Sequence, residues 1–341
     1  MARVRVRPAA PGDAARAWAG ADLLADRWAA GGGRRSLVAE DEGGRGRVLG
    51  HCRGVDNPFH PGSRTLVLGV DPALDDAAAR RVADALVAAQ AAVSSRPLRL
   101  RITEEDRLLR RAAAVAGVVV EQVLPPWRLR VGPALRSWAA RWDAHDGYGG
   151  ARRPRAVERG DAAAVVHLWA GHYAAQHARW APAAPAEELA ELFAEDLAWG
   201  APGCYEPARS RVRMRGGRAA AALVWPAEND GAREVTVMAL PREGAQALAD
   251  AARCLARVVD GAEDGQTLLV DTHLTEPCER RLMGPLHRHL ASCGEPAAGG
   301  WTLLVALPVA GGITRPFAVG LLEGWDAPAW VRGALAGAGG C

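Results

Sequence analysis

The sequence predicts an α+β fold with two tandem domains, each built on a mixed, mostly antiparallel sheet flanked by helices. Residues 233–273 read as a buried strand, a proline turn, an amphipathic helix and a second buried strand, and residues 64–102 repeat that order more weakly. A chain of 341 residues is also too long for one ordinary core and suits two domains of about 150 residues.

The first half contains a regular succession of strand and helix patterns. In chain order we predict a strand at 3–7, a helix at 11–28, a hairpin of 36–40 with 48–53, a central strand from 64 with a helix after it, a strand from 98, a helix at 104–116, and closing strands at 118–123 and 127–131. Apolar Val82, Leu86 and Val93 recur at helical spacing in the helix after the central strand.

The pattern restarts near residue 155. We predict a helix at 186–199, a hairpin of 210–215 with 218–225, the central strand from 233 with its helix, a helix at 278–293 and a strand at 301–308. The expected division is a first domain at 1–132, a linker at 133–154 that includes a short tryptophan-bearing helix, a second domain at 155–310 and a tail at 311–341. The tail is apolar enough to pack on the other domain or on a partner chain.

Composition excludes several classes of chemistry. No lysine occurs, so a P-loop lysine, a Schiff base and a pyridoxal anchor are ruled out. The net charge of +3 does not favour nucleic acid as a partner. No segment has the roughly 20 apolar residues of a membrane span, and no signal-peptide core is found, so a cytoplasmic location is expected. The six scattered cysteines are then reduced thiols.

Several segments resemble the GNAT superfamily of N-acetyltransferases, once in each half. The openings VRVRPAAPGDA and RAVERGDA resemble its first strand and helix start, and HARWAP at 177–182 resembles its substrate-side loop. VDP at 70–72 resembles the end of its central strand, and RRAAAVAGV at 110–118 resembles its last helix. The resemblance implies transfer of an acyl group from acyl-coenzyme A (acyl-CoA), acetyl-CoA in the simplest case, to an amine without any metal.

In that superfamily an Arg/Gln-x-x-Gly-x-Gly/Ala loop follows the central strand and holds the CoA pyrophosphate at a helix N-terminus. The second half matches it in relaxed form, and the resemblance implies a cofactor-binding set of Leu240, Arg242, Gly244, Ala245 and Ala247.

The first half lacks this match. Its corresponding positions are Asp75, Ala78 and Arg80, and the carboxylates of Asp75 and Asp76 would repel phosphate from the start of the helix. We therefore expect the first domain to be degenerate and the second to carry any activity.

Two residues are candidate catalytic bases. Glu234 lies on the second central strand, and His273 lies at the end of the next strand, with Asp271 in position to orient it. The alternatives are a solvent-facing charge for Glu234 and a capping or loop role for His273. The superfamily's acid, a tyrosine on the last helix, is missing; Cys278 is a weak substitute and fits a packed thiol better.

The extra segment of the second half is predicted to line the pocket of the amine substrate through His172, Tyr173, His177 and Trp180, with a packing role as the alternative. A zinc site from Cys278, His287, His289 and Cys293 is rejected, because His287 and His289 lie about 200° apart on a helix.

Three functions remain open. The first is an acyl-CoA-dependent N-acyltransferase that acts on a small-molecule amine by direct attack on the thioester. The second is a non-catalytic tandem GNAT protein that binds a metabolite or a partner, and the third is an aminoacyl-tRNA-dependent transferase of the Fem-like type. We expect no membrane contact and leave open whether the chain forms a homodimer.

Overall fold

The computed structural model describes residues 4–10, 13, 35–42, 47–144, 153–195, 197–215, 218–240, 244–309 and 312–337. These residues form two compact units. The helix predicted at 11–28 lies outside them, apart from Asp13. Among the described residues, no helix is both long enough and apolar enough to cross a membrane.

The described strands and helices follow the predicted order closely. The strands are β1 Val4–Pro8, β2 Arg35–Asp41, β3 Val48–Asp56, β4 Arg64–Val70, β5 Leu98–Thr103, β6 Val119–Leu124, β7 Arg128–Arg130, β8 Arg155–Ala156, β9 Arg211–Arg215, β10 Arg218–Ala227, β11 Arg233–Met238, β12 Thr267–Leu269 and β13 Thr302–Leu307. The helices are α1 Asp76–Val93, α2 Arg107–Val115, α3 Pro133–Ala144, α4 Ala162–His177, α5 Ala186–Ala194, α6 Gly244–Gly261, α7 Pro277–Ser292 and α8 Ala329–Gly337.

Each unit contains one mixed sheet, which confirms the predicted fold class. The first sheet has seven strands in the order β1-β2-β3-β4-β5-β13-β6, and the second has six in the order β7-β12-β11-β10-β9-β8. β4 pairs with β5 in parallel, and β11 with β12 likewise. The two predicted hairpins, β2 with β3 and β9 with β10, are antiparallel.

The helix that follows each central strand packs its apolar face on its own sheet. In α1, Val82 and Leu86 are fully buried, and in α6 Leu255 and Val259 are. Val93, expected on the same face of α1, is instead 42% exposed because it occupies the last turn before the cap residue Ser94. Helical spacing identified the buried face of α1 but did not show that burial ends before the last helical turn.

The two units differ from the predicted domain boundaries, because each sheet takes one strand from the other half of the sequence. The first unit consists of Met1–Gln122, Thr302–Ala318 and Pro328–Cys341, and the second of Val123–Trp301 and Val319–Ala327. β13, expected to end the second domain, is antiparallel to β5 in the first sheet. β7, expected to close the first domain, is antiparallel to β12 in the second sheet. The strands were predicted correctly and their partners were not.

The apolar tail is divided between the units in the same way. In the second unit the ring of Trp325 contacts those of His287 and Trp301, with centroids 4.9 and 6.5 Å away. In the first unit, Trp330 of α8 lies under the guanidinium group of Arg110. The tail residues thus complete hydrophobic packing within each unit.

Candidate active site

The second unit contains two parallel strands that separate at their carboxyl ends. β11 and β12 are paired only where Arg233 meets Leu268 and Glu234 meets Leu269. β11 continues to Met238, whereas the chain after Leu269 leaves the sheet toward α7. Ligands of α/β sheets bind in the crevice outside the carboxyl ends of parallel strands. This gap is therefore the candidate active site.

Side chains from five segments line the gap and almost fill it. They are His172 of α4, Val237 and Ala239 on or just after β11, Leu248 and Ala251 of α6, Val270 and Asp271 after β12, and Cys278, Glu279, Leu282 and Met283 of α7. The enclosed volume is about 10 Å³, which is the space of one water molecule. In this conformation the gap is closed to larger molecules.

Glu234, the first predicted base, lies at the point where the two strands still pair. The residue is exposed as a whole. Partial burial of the carboxyl group raises its pKa above the ordinary value, and repulsion from Asp271 and Glu228 adds to this effect. A carboxylate with a raised pKa is a better proton acceptor, as a general base requires.

His273, the second predicted base, is buried at the end of the segment that follows β12. Its Nε2 atom lies 3.3 Å from Oδ2 of Asp271, the predicted orienting residue. Asp271 is exposed and interacts electrostatically with Glu234. The structure thus brings Glu234, Asp271 and His273 together at one end of the sheet.

Two of the four predicted substrate-binding residues, His177 and Trp180, contact the ring of His273, and a third, Tyr173, packs on His177. Tyr173 stacks on His177 with ring centroids 4.1 Å apart. The rings of His177 and Trp180 lie 5.3 and 5.5 Å from that of His273. Burial raises the pKa of Tyr173 to about 12, so its phenol stays protonated near neutral pH. These rings form one wall beside the candidate base.

Glu279 connects this wall to the gap, although it is not among the predicted site residues. Its Oε2 atom accepts a hydrogen bond of 2.5 Å from the backbone N–H of His273. Its Oε1 atom accepts one of 2.8 Å from Gln176 Nε2 and lies 3.3 Å from Nε2 of His172, the fourth predicted substrate residue. One buried carboxylate therefore holds the His273 segment against α4.

Glu276 precedes Glu279 and is fully buried. Its Oε2 atom caps α7 by accepting a 2.6 Å hydrogen bond from the Glu279 N–H, while Oε1 has no partner among the described residues. Burial, and next the nearby Glu279 carboxylate, raise the pKa of Glu276. The Nδ1 atom of His172 is likewise buried without a described partner. The raised pKa favours the protonated form of the Glu276 carboxyl group.

A sequence signal for the two glutamates did exist. The pattern Glu276-Pro-Cys-Glu279 places an acidic residue before a proline and another in the first helical turn, which is typical of a helix start. That reading explains the local structure. It does not show that both carboxylates are buried behind His273, because their burial depends on where α4 packs.

Four of the five predicted cofactor-binding residues are described, and they lie at or near the start of α6. Arg242 lies outside the described residues. Gly244 has a φ of 72°, which favours glycine, and opens the helix with the exposed Ala245. Ala247 is buried in a small cluster with Ala220, Ala239 and Ala251. Leu240 is half-buried beside α4, where an added Cβ on Gly171 would lie 3.1 Å from it.

Cys278, considered as a weak substitute for the missing acid, is held as a neutral thiol. Burial, and next repulsion from Glu276, raise its pKa to about 12. An ordinary thiol has a pKa of about 8.5, so the thiolate of a leaving group would not take the proton of Cys278. The role of packed thiol fits this environment.

The first unit repeats the strand separation and contains a much larger cleft. β4 and β5 pair only where Arg64 meets Leu98 and Thr65 meets Arg99. Asp75 caps α1 by accepting a 2.8 Å hydrogen bond from the N–H of Ala78, as its predicted helix-start role requires. The cleft measures about 750 Å³ and its lining includes Asp71, Asp76, Arg80, Arg107, Arg110 and Arg111. Room for a ligand and arginine side chains are therefore present in the unit that we expected to be degenerate.

Comparisons with known proteins found similar solved structures only. No family model and no curated protein matches this sequence. A GCN5-related N-acetyltransferase from Sphaerobacter thermophilus is similar over 89% of this chain and 95% of its own, with 12% identity and a TM-score of 0.47. A tandem GNAT protein from the clavulanic acid biosynthesis pathway is similar over 89% and 98%, with 14% identity and a TM-score of 0.41.

A third similar structure, spermidine N-acetyltransferase from Vibrio cholerae in complex with CoA and spermine, covers 36% of this chain and 85% of its own, with 14% identity and a TM-score of 0.29. Two of these three structures are named N-acetyltransferases and the other a tandem GNAT protein. With TM-scores of at most 0.47 and identities of at most 14%, they carry no argument about the reaction or substrate of this chain.

Proposed function

We propose that the second unit is an N-acyltransferase that moves an acyl group, acetyl in the simplest case, from acyl-CoA to the amine of a small molecule. The observation that carries this proposal is that Glu234, Asp271 and His273 lie near one another where the parallel pairing of β11 and β12 ends. A cytoplasmic location and a homodimer remain predictions from the sequence.

In this proposal the amine loses a proton to Glu234 or His273 and attacks the thioester carbon directly. A carbon–nitrogen bond forms, the carbon–sulfur bond breaks and the CoA thiolate leaves. The thiol of Cys278, with a pKa of about 12, does not protonate the thiolate. The leaving thiolate is therefore protonated either by water or by the base, which passes on the proton that it accepted from the amine.

The acidic and aromatic side chains around the gap favour a cationic acceptor. Glu234 and Asp271 both bring carboxyl groups to this end of the sheet, and Glu228 lies near enough to Glu234 to affect its pKa. These charges attract an ammonium group, and the rings of His177 and Trp180 provide an apolar wall for its carbon skeleton. A small amine fits this arrangement better than an anionic acceptor does.

Because the gap has room for one water molecule, acyl-CoA must separate β11 from β12 to enter it. The parallel pairing that already ends at Glu234 and Leu269 leaves few backbone hydrogen bonds to break. Leu240, Arg242, Gly244, Ala245 and Ala247 would then border the bound CoA, as the GNAT resemblance implies. Hydrogen exchange of residues 235–240 and 267–273 should increase when acetyl-CoA is added.

The test is acetylation of a panel of polyamines, amino acids and aminoglycosides, followed by mass spectrometry. His273→Asn and Glu234→Gln should each lower kcat by about 100-fold or more if the residue is the base. His167→Asn, an exposed histidine on α4, is the matched control and should not change kcat. Wild-type rates in both His273→Asn and Glu234→Gln would contradict the assignment of the bases.

A second candidate is a non-catalytic protein that binds an anionic metabolite in the first unit. The cleft of about 750 Å³ with Arg80, Arg107, Arg110 and Arg111 favours it. Thermal stabilisation by acetyl-CoA distinguishes the two candidate functions. If Arg242→Glu loses this stabilisation and Arg107→Glu retains it, the CoA site lies in the second unit. The reverse pattern, with no acetylated product, supports the second candidate.

A further inference from the structure

The first unit contains a cavity of about 340 Å³ between two helices and the sheet. Its walls come from α2, α8 and the strands β5, β6 and β13, and they include Ile102, Val120, Leu303 and Val305. It lies on α2 beside the arginine-lined cleft and shares Arg110 and Ala114 with that cleft, but β5, β6, β13 and α8 line only this cavity. Nothing in the proposed acyl transfer uses it.

Small residues on the two helices leave this space open. Ala113 and Ala114 of α2 face it, as do Gly333 and Ala334 of α8. A Cβ added to Gly333 would meet no atom within 4 Å. An apolar cavity of about 150 Å³ can hold one benzene molecule, so this one has room for a ligand about twice that size.

Two polar side chains, Arg110 and Trp330, border this apolar cavity. The guanidinium carbon of Arg110 lies 5.2 Å above the ring of Trp330, and its Nη1 atom donates to the backbone oxygen of Glu104 over 3.2 Å. Within the described ranges, no carboxylate is paired with Arg110. The indole Nε1 atom of Trp330 is buried and has no hydrogen-bond partner there. It therefore faces packed atoms rather than the free space of the cavity, and Arg110 is the charged group that borders that space.

We propose that the cavity binds a small apolar carboxylic acid. The hydrocarbon part occupies the space between Ala113, Val305 and Gly333, and the carboxylate lies against the guanidinium group of Arg110. An anionic head is favoured over a neutral one because Arg110 always carries a charge. The site belongs to the first unit and does not depend on acyl transfer in the second.

Calorimetric titration of the full chain with octanoate, octanamide and octylamine tests the proposal. Octanoate should bind best, octanamide more weakly and octylamine not at all. Arg110→Gln should weaken the binding of octanoate by about tenfold to a hundredfold and leave the affinity for octanamide nearly unchanged. Failure of octanoate to bind the wild type, or equal affinity of the acid and the amide, would overturn the proposal.

A pair of substitutions at Gly333 tests the location. Gly333→Leu should fill the cavity and remove the binding of both octanoate and octanamide, whereas Gly333→Ala should retain it. Both variants replace a helical glycine and should therefore have a higher melting temperature than the wild type when no ligand is present. That measurement checks that each variant folds. Unchanged octanoate affinity in Gly333→Leu would place the acid elsewhere and refute the site.

Discussion

Replacing His287 by leucine is expected to make the second unit more resistant to acid. The ring of His287 packs against that of Trp325 with centroids 4.9 Å apart, and its Nε2 atom is buried without a described hydrogen-bond partner. Burial therefore lowers its pKa from 6.5 to about 4. The folded protein keeps this imidazole neutral, whereas the unfolded chain protonates it at its ordinary pKa.

The size and the sign of the effect follow from this difference. The folded pKa is depressed, so the stability contributed by neutral His287 is complete above pH 6.5 and is lost as the pH falls toward 4. The loss amounts to about 2 kcal/mol at pH 5 and about 3 kcal/mol below pH 4. For a unit of this size, 2 kcal/mol corresponds to a shift in melting temperature of about 4–8 °C.

Differential scanning calorimetry at pH 8 and pH 5 measures this effect. His287→Leu should melt close to wild type at pH 8 and several degrees above it at pH 5. His167→Gln, which changes an exposed histidine of α4, is the matched control and should follow the wild type at both values. A constant difference between His287→Leu and wild type at the two pH values would refute the claim that His287 is buried and neutral.

Two further substitutions test other buried groups of the second unit. Cys278→Ala should leave acyl transfer within about twofold of wild type in the assay by mass spectrometry, because a thiol with a pKa of about 12 is neither nucleophile nor acid at neutral pH. A drop of a hundredfold would show that the thiol takes part. In the wild type, Nε of the buried Arg213 lies 3.2 Å from Oδ1 of Asp250. Asp250→Ala removes this carboxylate from a buried charge and should therefore destabilise the protein by about 3–5 kcal/mol. Urea titration measures the loss of stability. Asp260→Ala removes a partly exposed ion pair with Arg257 and should cost less than about 1 kcal/mol in that titration. Equal losses in the two variants would contradict the claim that the buried ion pair matters more.

Local order along the chain could be predicted because it depends on nearest neighbours. The strand at 64–70, the helix after it and the hairpins all follow from alternation, helical spacing and turn residues. The exchange of β7 and β13 could not be predicted in this way. A strand pattern shows which residues are buried, but it does not show which of two sheets supplies the neighbouring strand.

The candidate site shows the same limit. His273, Asp271 and Trp180 were selected as residues at strand ends and in an extra loop, and the structure places them near one another. Glu279 was overlooked because its sequence context is fully explained by a helix start. Its contact with Gln176 joins elements 103 positions apart, which no local pattern encodes.

The position of β13 in the first sheet has a consequence for how the chain is made. Thr302 pairs with Thr103, 199 positions earlier, and β13 lies between β5 and β6 rather than at an edge. During synthesis, β5 therefore waits with one side unpaired while the residues of the second unit leave the ribosome. An unpaired strand edge is a template for wrong association. A protein that ends before residue 302 would lack β13, an inner strand of the first sheet. The truncation would therefore disrupt the first unit, although the missing residues follow the second unit in sequence.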